Sequence, residues 1–160
     1  MASLIKTGYD NIMSEYATNP KAGFDYEILE TIEAGIVLEG HEVKSIKTGK
    51  VSIKGSYVKI LTNEPLLIGA TISPYQPANT PKNYDPQRSR KLLLSKREIA
   101  DLVSKSRSHG TTLVPLKLYG KKGYIKLLIG IARGKKKYDK RETIKKKDVA
   151  RAKQRGLAGD

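Results

Sequence analysis

The sequence predicts a mainly β fold with short helices, an antiparallel barrel or strongly curled sheet that carries a disordered basic tail. Three observations predict it. Five to seven short segments rich in β-branched and aromatic residues are separated by Gly, Pro, Asn and Asp clusters. Only two segments carry the marks of a capped helix. After Ala132 the chain becomes a run of charged residues with too few apolar positions to pack on a core. At 160 residues the chain can bury enough apolar surface for one domain without covalent staples.

Taken in order, residues 1–18 show no clear period and read as an N-terminal arm, which closes on the turn-forming pair Asn19-Pro20. The domain proper spans 19–132 and the tail 133–160. From Tyr26 to Leu38 the run YEILETIEAGIVL reads as a strand with a bulge or bend at Ala34-Gly35. In GHEVKSIKTG, Val43 and Ile46 stand three apart, which fits a short helix stopped by Gly49. Val51 to Leu61 and Leu66 to Ile72 are two more strands, with Thr62-Asn63-Glu64-Pro65 as a hairpin connection. Residues 73–91 hold four prolines and form a long loop. Leu92 to Leu94 opens a strand. Ser95 and Glu98 have the spacing of a capping box, ahead of the apolar stripe Ile99, Leu102 and Val103. Finally, Leu113 to Tyr119 and Tyr124 to Ala132 flank Gly120-Lys121-Lys122-Gly123 as a hairpin. Ile125, Leu127, Ile129 and Ile131 alternate strictly, so they face the core. Short strands with two helices of this size indicate an OB-like β-barrel, the oligonucleotide-binding kind.

Charge narrows the function. The chain has 31 basic and 16 acidic residues, a net charge of +15, which points to a polyanionic partner. The charge is also polarised: residues 1–40 hold two Lys against seven Asp or Glu, whereas 133–160 hold 12 Lys or Arg against four acids. A merely solvated surface is the competing reading of such a count, and the asymmetry favours a binding tail. The absence of cysteine excludes disulfides, thiolate nucleophiles and cysteine zinc sites, and fits a reducing cytoplasm. No apolar run is long enough for a membrane span and no secretion signal opens the chain, so no membrane partner is expected.

Three constellations carry chemistry. Gly134, Lys135, Lys136, Lys137, Tyr138, Asp139, Lys140 and Arg141 place five cations around one tyrosine, a set that can neutralise phosphates and stack on an exposed base. Arg88 and Arg90, one residue apart, can fork onto neighbouring phosphates, while strand alternation turns Leu93 outward if Leu92 and Leu94 face the core. Glu33 can accept a hydrogen bond from a base amino group or a 2′-hydroxyl, although most strand glutamates simply face water. Catalysis finds no support: His41 and His109 lie on different elements with no nucleophile or metal-ligand spacing, the acids are scattered, and no phosphate-binding glycine loop occurs. The chain therefore reads as a binding protein without a cofactor. A permanent ribosomal protein and an RNA hydrolase are the competing classes.

The blocks YEILETIEAGIVLEGHEVKSIKTGK, SYVKI, ISPY, DPQRSRKLLLSKREI, LVPLKLYGKKGYIK and GIARGKKKYDKR, in this order, resemble the small protein B family, the SsrA-binding proteins that partner transfer-messenger RNA (tmRNA) in ribosome rescue. The resemblance runs from Asn19 to about Arg155. It implies an OB-like barrel docked on the tRNA-like domain of tmRNA, and a basic tail that becomes helical in the empty messenger channel of a stalled ribosome, against small-subunit ribosomal RNA. It also implies an indirect partnership with GTP-bound elongation factor Tu and a monomeric chain. Carried over by position, it places the RNA surface at Asn19, Lys21, Tyr26, Glu33 and Leu93, the decoding-centre segment at 134–141, and the channel-lining tail at Lys145, Lys146, Lys147, Arg151, Lys153 and Arg155. Three positions depart from the family pattern: Pro20-Lys21 where two basic residues are common, Tyr138 where histidine is common, and Gly55 where an acid usually precedes the Ser-Tyr pair.

Overall fold

The protein is described by a computed structural model, which covers residues 12–108 and 110–134 and, in the tail, residues 141, 144, 145, 147 and 148. Among the described residues before the tail, nine strands and three short helices follow one another. The first half comprises β1 (Ile12–Thr18), α1 (Pro20–Asp25), β2 (Tyr26–Ile36), α2 (Gly40–Lys47), β3 (Val51–Ser52), β4 (Tyr57–Leu61), β5 (Glu64–Ile68) and β6 (Thr71–Ile72). After a loop with one 3-10 turn at Pro77–Asn79 come β7 (Arg90–Leu93), α3 (Lys96–Ser106), β8 (Thr111–Lys121) and β9 (Tyr124–Gly134).

Seven strands make one antiparallel sheet in the order β1-β8-β9-β2-β7-β5-β4, and β3 pairs separately with β6. The sheet curls until β4 lies beside β8 without backbone pairing, which gives an OB-like barrel with an open seam. Alternation fills the interior: Ile125, Leu127, Ile129 and Ile131 of β9 are all buried, together with Ala34, Leu92, Leu113 and Leu118 from neighbouring strands. From α2 and α3, Ile46 and Leu102 close the core with no exposed surface. The capping box of α3 is present, with Ser95 Oγ accepting from the Glu98 amide and the Glu98 carboxylate accepting from the Ser95 amide.

Several boundaries differ from those read in the sequence, each for a local reason. Residues 12–18, taken as part of an arm, form an edge strand on β8; register shifts at Ile12/Ser14 and Glu15/Ala17 erase the two-residue period that would have revealed it. Pro20 does not merely turn the chain but starts a six-residue helix, its fixed φ and missing N–H being suited to a first helical position. The bulge of β2 falls between Ile28 and Glu30, not at Ala34-Gly35. Ala34 and Gly35 are small because β2 there lies between β9 and β7, and a Cβ on Gly35 would sit 3.2 Å from the Leu93 Cβ. Each of the two middle strands is broken by a left-handed glycine, Gly55 at φ 77° and Gly69 at φ 85°, which releases β3 and β6 to pair with each other. The β4–β5 turn needs only Thr62 and Asn63, both with positive φ. Glu64 and Pro65 belong to β5, where Pro65 lies one residue beyond the last β5–β7 pair and its missing N–H costs no ladder bond.

One buried ionic network ties these pieces together. Glu42 of α2 has no exposed surface. Its carboxylate accepts from the Glu39 amide at 2.9 Å, from Arg90 Nε at 3.1 Å and Nη2 at 2.6 Å, and from Arg88 through both Nε and Nη2. The Tyr84 hydroxyl stands 3.0 Å from the same carboxylate and 2.8 Å from the Ile72 carbonyl, and accepts from Arg90. The remaining Arg90 nitrogen donates to the Ala70 carbonyl at 2.9 Å. One carboxylate thus pins the long loop, β7 and the end of β6 to α2. Burial alone would raise its pKa, but the hydrogen bonds from Arg88, Glu39 and Arg90 outweigh it and hold the group at about 2. The same surroundings push the Tyr84 phenol up to about 12.

Glu42→Ala leaves two guanidiniums facing a void, and should cost about 3–5 kcal/mol in a denaturant titration. Because the folded pKa lies below the ordinary 4.5, the stabilisation is complete above that pH and is lost as the pH falls towards about 2. Acid unfolding followed by circular dichroism should therefore move to milder pH in Glu42→Gln, and an unchanged acid limb would show that this carboxylate does not govern it.

Candidate nucleic-acid interface

On β8, β9 and β2 the residues between the core positions face outward, and they make one continuous surface. Register places Lys126 of β9 opposite both Tyr119 of β8 and Gly35 of β2, and Leu128 opposite Glu33. Farther along the same face, Ala132 and Val114 pack with Ala22 of α1, with Tyr26, Ile28 and Leu116 around them. Helix α1 therefore covers one end of the outer face, and the other end stays open around Glu33.

Glu33 is held in place from two sides. The Tyr119 hydroxyl, whose ring is buried beneath the surface, donates to Glu33 Oε2, and Lys121 Nζ approaches the same oxygen at 3.2 Å. Partial burial raises its pKa, yet the hydrogen bonds from Tyr119 and Lys121 and the positive field of Lys121 and Lys126 outweigh this and keep the carboxyl below its ordinary value. The result is a fixed acceptor set among cations, one able to select a donor such as a base amino group or a 2′-hydroxyl while the lysines meet phosphates.

Beside it, Leu93 projects outward over Gly35 and is 54% exposed, while its neighbour Leu92 is buried. A groove of about 220 Å³ runs between Leu93, Gly35, Tyr124 and Lys126. Tyr124 is 71% exposed, and the Lys126 ammonium lies 5.7 Å from its ring centroid. An apolar knob, an open aromatic ring and two lysines around a fixed carboxylate form a surface suited to unstacked bases and their phosphates.

The sequence-derived residues divide into four groups. Glu33 and Leu93 come together at the open end. Asn19, Lys21 and Tyr26 lie on or beside α1 at the other end: the Asn19 side-chain amide donates to the Pro115 carbonyl at 3.0 Å and its Oδ1 is buried with no partner, while Lys21 is exposed. Arg88 and Arg90 are a correction. Arg90 has no exposed surface and both guanidiniums are engaged by Glu42, so the pair anchors the fold, and Arg90 is not free to join Arg88 in a fork onto phosphates. Their spacing resembles a phosphate clamp because the buried acid that takes them up is more than 40 residues away. In the tail, Gly134 ends β9, and Arg141, Lys145 and Lys147 are helical, with the Lys147 ammonium 6.0 Å from the Phe24 ring centroid. Lys135, Lys136, Lys137, Tyr138, Asp139, Lys140, Lys146, Arg151, Lys153 and Arg155 lie outside the described residues, as does His109.

Sequence reasoning missed Tyr119, Lys121, Tyr124 and Lys126. The signal was available in the hairpin itself: residues flanking a strictly alternating core row must share the opposite face. Among the described residues, no group of three or more His, Asp or Glu is placed to hold a metal ion, and no helix is long and apolar enough to cross a membrane.

Comparison with known proteins gives a consistent match. The family model described as SmpB protein matches residues 16–159. The SsrA-binding protein of Trichodesmium erythraeum is 52% identical over 87% of this chain and 89% of its own length. That of Cupriavidus necator is 54% identical over 90% and 96%. A solved structure described as "tmRNA-SmpB: a journey to the center of the bacterial ribosome" contains a chain 47% identical, with a TM-score of 0.62, covering 79% of this chain and 92% of that one.

Tyr119→Phe removes one donor from Glu33 without opening a cavity, so its carboxyl pKa should move up towards 4.5 in an NMR side-chain titration while the fold is kept. An unmoved pKa would mean that the lysines alone set this carboxylate.

Proposed function

The chain belongs to the SmpB family, and on that premise we propose that it binds tmRNA in trans-translation at ribosomes, with the outer sheet face as its RNA-recognition surface and the basic segment after Gly134 as its ribosomal element. The observation that carries the recognition surface is the fixed Glu33 carboxylate, framed by Lys121 and Lys126 and flanked by exposed Leu93 and Tyr124. The tRNA-like domain of tmRNA is the ligand whose chemistry this surface fits, with donors for the carboxylate, bases for Leu93 and Tyr124, and phosphates for the lysines. Asn19, Lys21 and Tyr26 extend the contact past α1.

The tail then serves a second RNA. Gly134 to Arg141 acts at the decoding centre against small-subunit ribosomal RNA, and the cations from Lys145 to Arg155 follow the empty messenger channel of a stalled ribosome. The protein performs no bond-breaking step of its own and acts as a monomer in the cytoplasm. Elongation factor Tu with GTP meets it through the alanylated tmRNA, so the chain needs no nucleotide cofactor.

The test separates the two surfaces. Residues 1–134 end where β9 ends and should bind the tRNA-like domain as selectively over ordinary tRNA as the full chain does in a gel-shift titration. Glu33→Ala should weaken binding about 10-fold, as expected for a lost hydrogen bond to a charged group, and Leu93→Ala by a similar factor for lost apolar contact. Replacing Asp139, Lys140 and Arg141 together by Ala should spare this affinity and abolish rescue in a reconstituted translation assay. Weak or unselective binding by the full chain, or binding that requires the tail, would overturn the assignment.

A further inference from the structure

Leu93 separates two grooves. The first is the Tyr124–Lys126 groove already described. The second, of about 570 Å³, lies on the other side, between the β4–β5 turn, the end of β7 and the start of α3. Its volume is in the range of small-ligand sites. Its floor is apolar: Pro65 and Leu92 are buried, and Leu94 and Ile99 are half-buried. One wall is the turn, where Asn63 is exposed at φ 61° and Glu64 follows it. The rim is partly basic, with Lys91 and Lys96 both exposed and Lys91 beside Glu64.

We propose that this second groove holds one unpaired nucleotide of the RNA bound on the outer face, with its base against Leu94 and Ile99 and its phosphate on Lys91 and Lys96. The site rests on the RNA-binding reading of the Glu33–Leu93 surface and extends it beyond Leu93. Three features select a nucleotide. The groove shares Leu93 with the recognition surface, so an RNA strand crossing that ridge enters it directly. Two exposed cations stand on its rim, while its floor of Pro65, Leu92, Leu94 and Ile99 carries no charge. The β4–β5 turn presents the Asn63 amide, which both donates and accepts, and the Glu64 carboxylate, which accepts, so a base edge lying there meets hydrogen-bonding partners of both kinds. Glu64 now stands 3.7 Å from Lys91, an exposed pair of little worth that an incoming phosphate can replace.

The full chain with a photoreactive residue at position 63 or 93 should be irradiated with the tRNA-like domain of tmRNA. Position 63 should cross-link to one discrete unpaired nucleotide, next to or near the nucleotide reached from position 93. In gel shifts, Lys91→Ala with Lys96→Ala should lower affinity about 10-fold or less and flatten the slope of log affinity against log salt by about 0.7 to 1.8. Both side chains are exposed, so the melting temperature should hold. Cross-linking from 93 without cross-linking from 63, or an unchanged salt slope, overturns the nucleotide site and leaves the recognition surface standing. A cross-link from 63 that forms only to protein, on complexes assembled with ribosomes, assigns the groove to a protein partner and also overturns it. Failure of the unsubstituted chain to bind the RNA removes the recognition surface and this site together.

Discussion

The Glu42–Arg90 ion pair is the constraint on which the rest of the molecule depends. Glu42 of helix α2 and Arg90 of strand β7 stand 48 positions apart in the chain, with a proline-rich loop between them that has no ladder of its own to hold it. A carboxylate with no exposed surface, facing a guanidinium with none, can exist only if nearly all of their donors and acceptors are matched. Here the matching partners are drawn from the loop (Tyr84 and Arg88), from the end of the β5–β6 segment (Ala70 and Ile72) and from the helix cap (Glu39). Satisfying one buried charge therefore fixes four separate pieces of backbone: α2 with its cap, the long loop, the β5–β6 segment and β7. Since Arg90 begins β7, the same pair sets the phase of that strand: with position 90 inward, 92 is inward and 93 must point out. The exposed leucine of the recognition surface is a consequence of the buried arginine three residues earlier.

That surface is organised by the opposite rule. Its charged groups are partly solvated, and each is oriented by a neighbour, Glu33 by Tyr119 and Lys121, Lys126 by the Tyr124 ring. Placing these groups on β2, β8 and β9, the longest strands of the sheet, gives them a rigid base. The small residues beneath them have a similar role. Gly35 leaves room for Leu93 to lie against β2, and Gly130 leaves room for Leu116.

Much of this was legible in the sequence. Strict alternation from Ile125 to Ile131 gave the core row of β9, and the Ser95–Glu98 spacing gave the start of α3. Pattern alone made Glu33 and Leu93 candidates, an acceptor on a strand and an outward leucine in a run of three, and the resemblance was needed to weigh them above an ordinary solvated glutamate and a core leucine. What failed had one cause, which is that pairing across a sheet is not written in local order. The bulges of β1 hide its period, and a basic Arg-Ser-Arg cluster looks like a phosphate clamp until the distant carboxylate that both guanidiniums engage is placed. Tyr119 reads as an ordinary strand tyrosine until β2 is laid across β9 and brings Glu33 within its reach.

The pairing of lysines on the outer face with nearby acids has a kinetic consequence. Lys117 with Glu15 and Lys121 with Glu33 are close to neutral when viewed from a distance, and Arg88 and Arg90 are partly cancelled by Glu42. Beyond the Debye length of about 8 Å at physiological salt, such pairs contribute little to the field that an approaching polyanion feels. Residues 133–160, where 12 cations face only four acids, carry +8 of the net +15, so the long-range pull is densest there. Capture and discrimination are thereby assigned to different stretches of one chain. Residue for residue the tail adds most to how often an RNA arrives, and the shaped face of the sheet sets how long the right one stays.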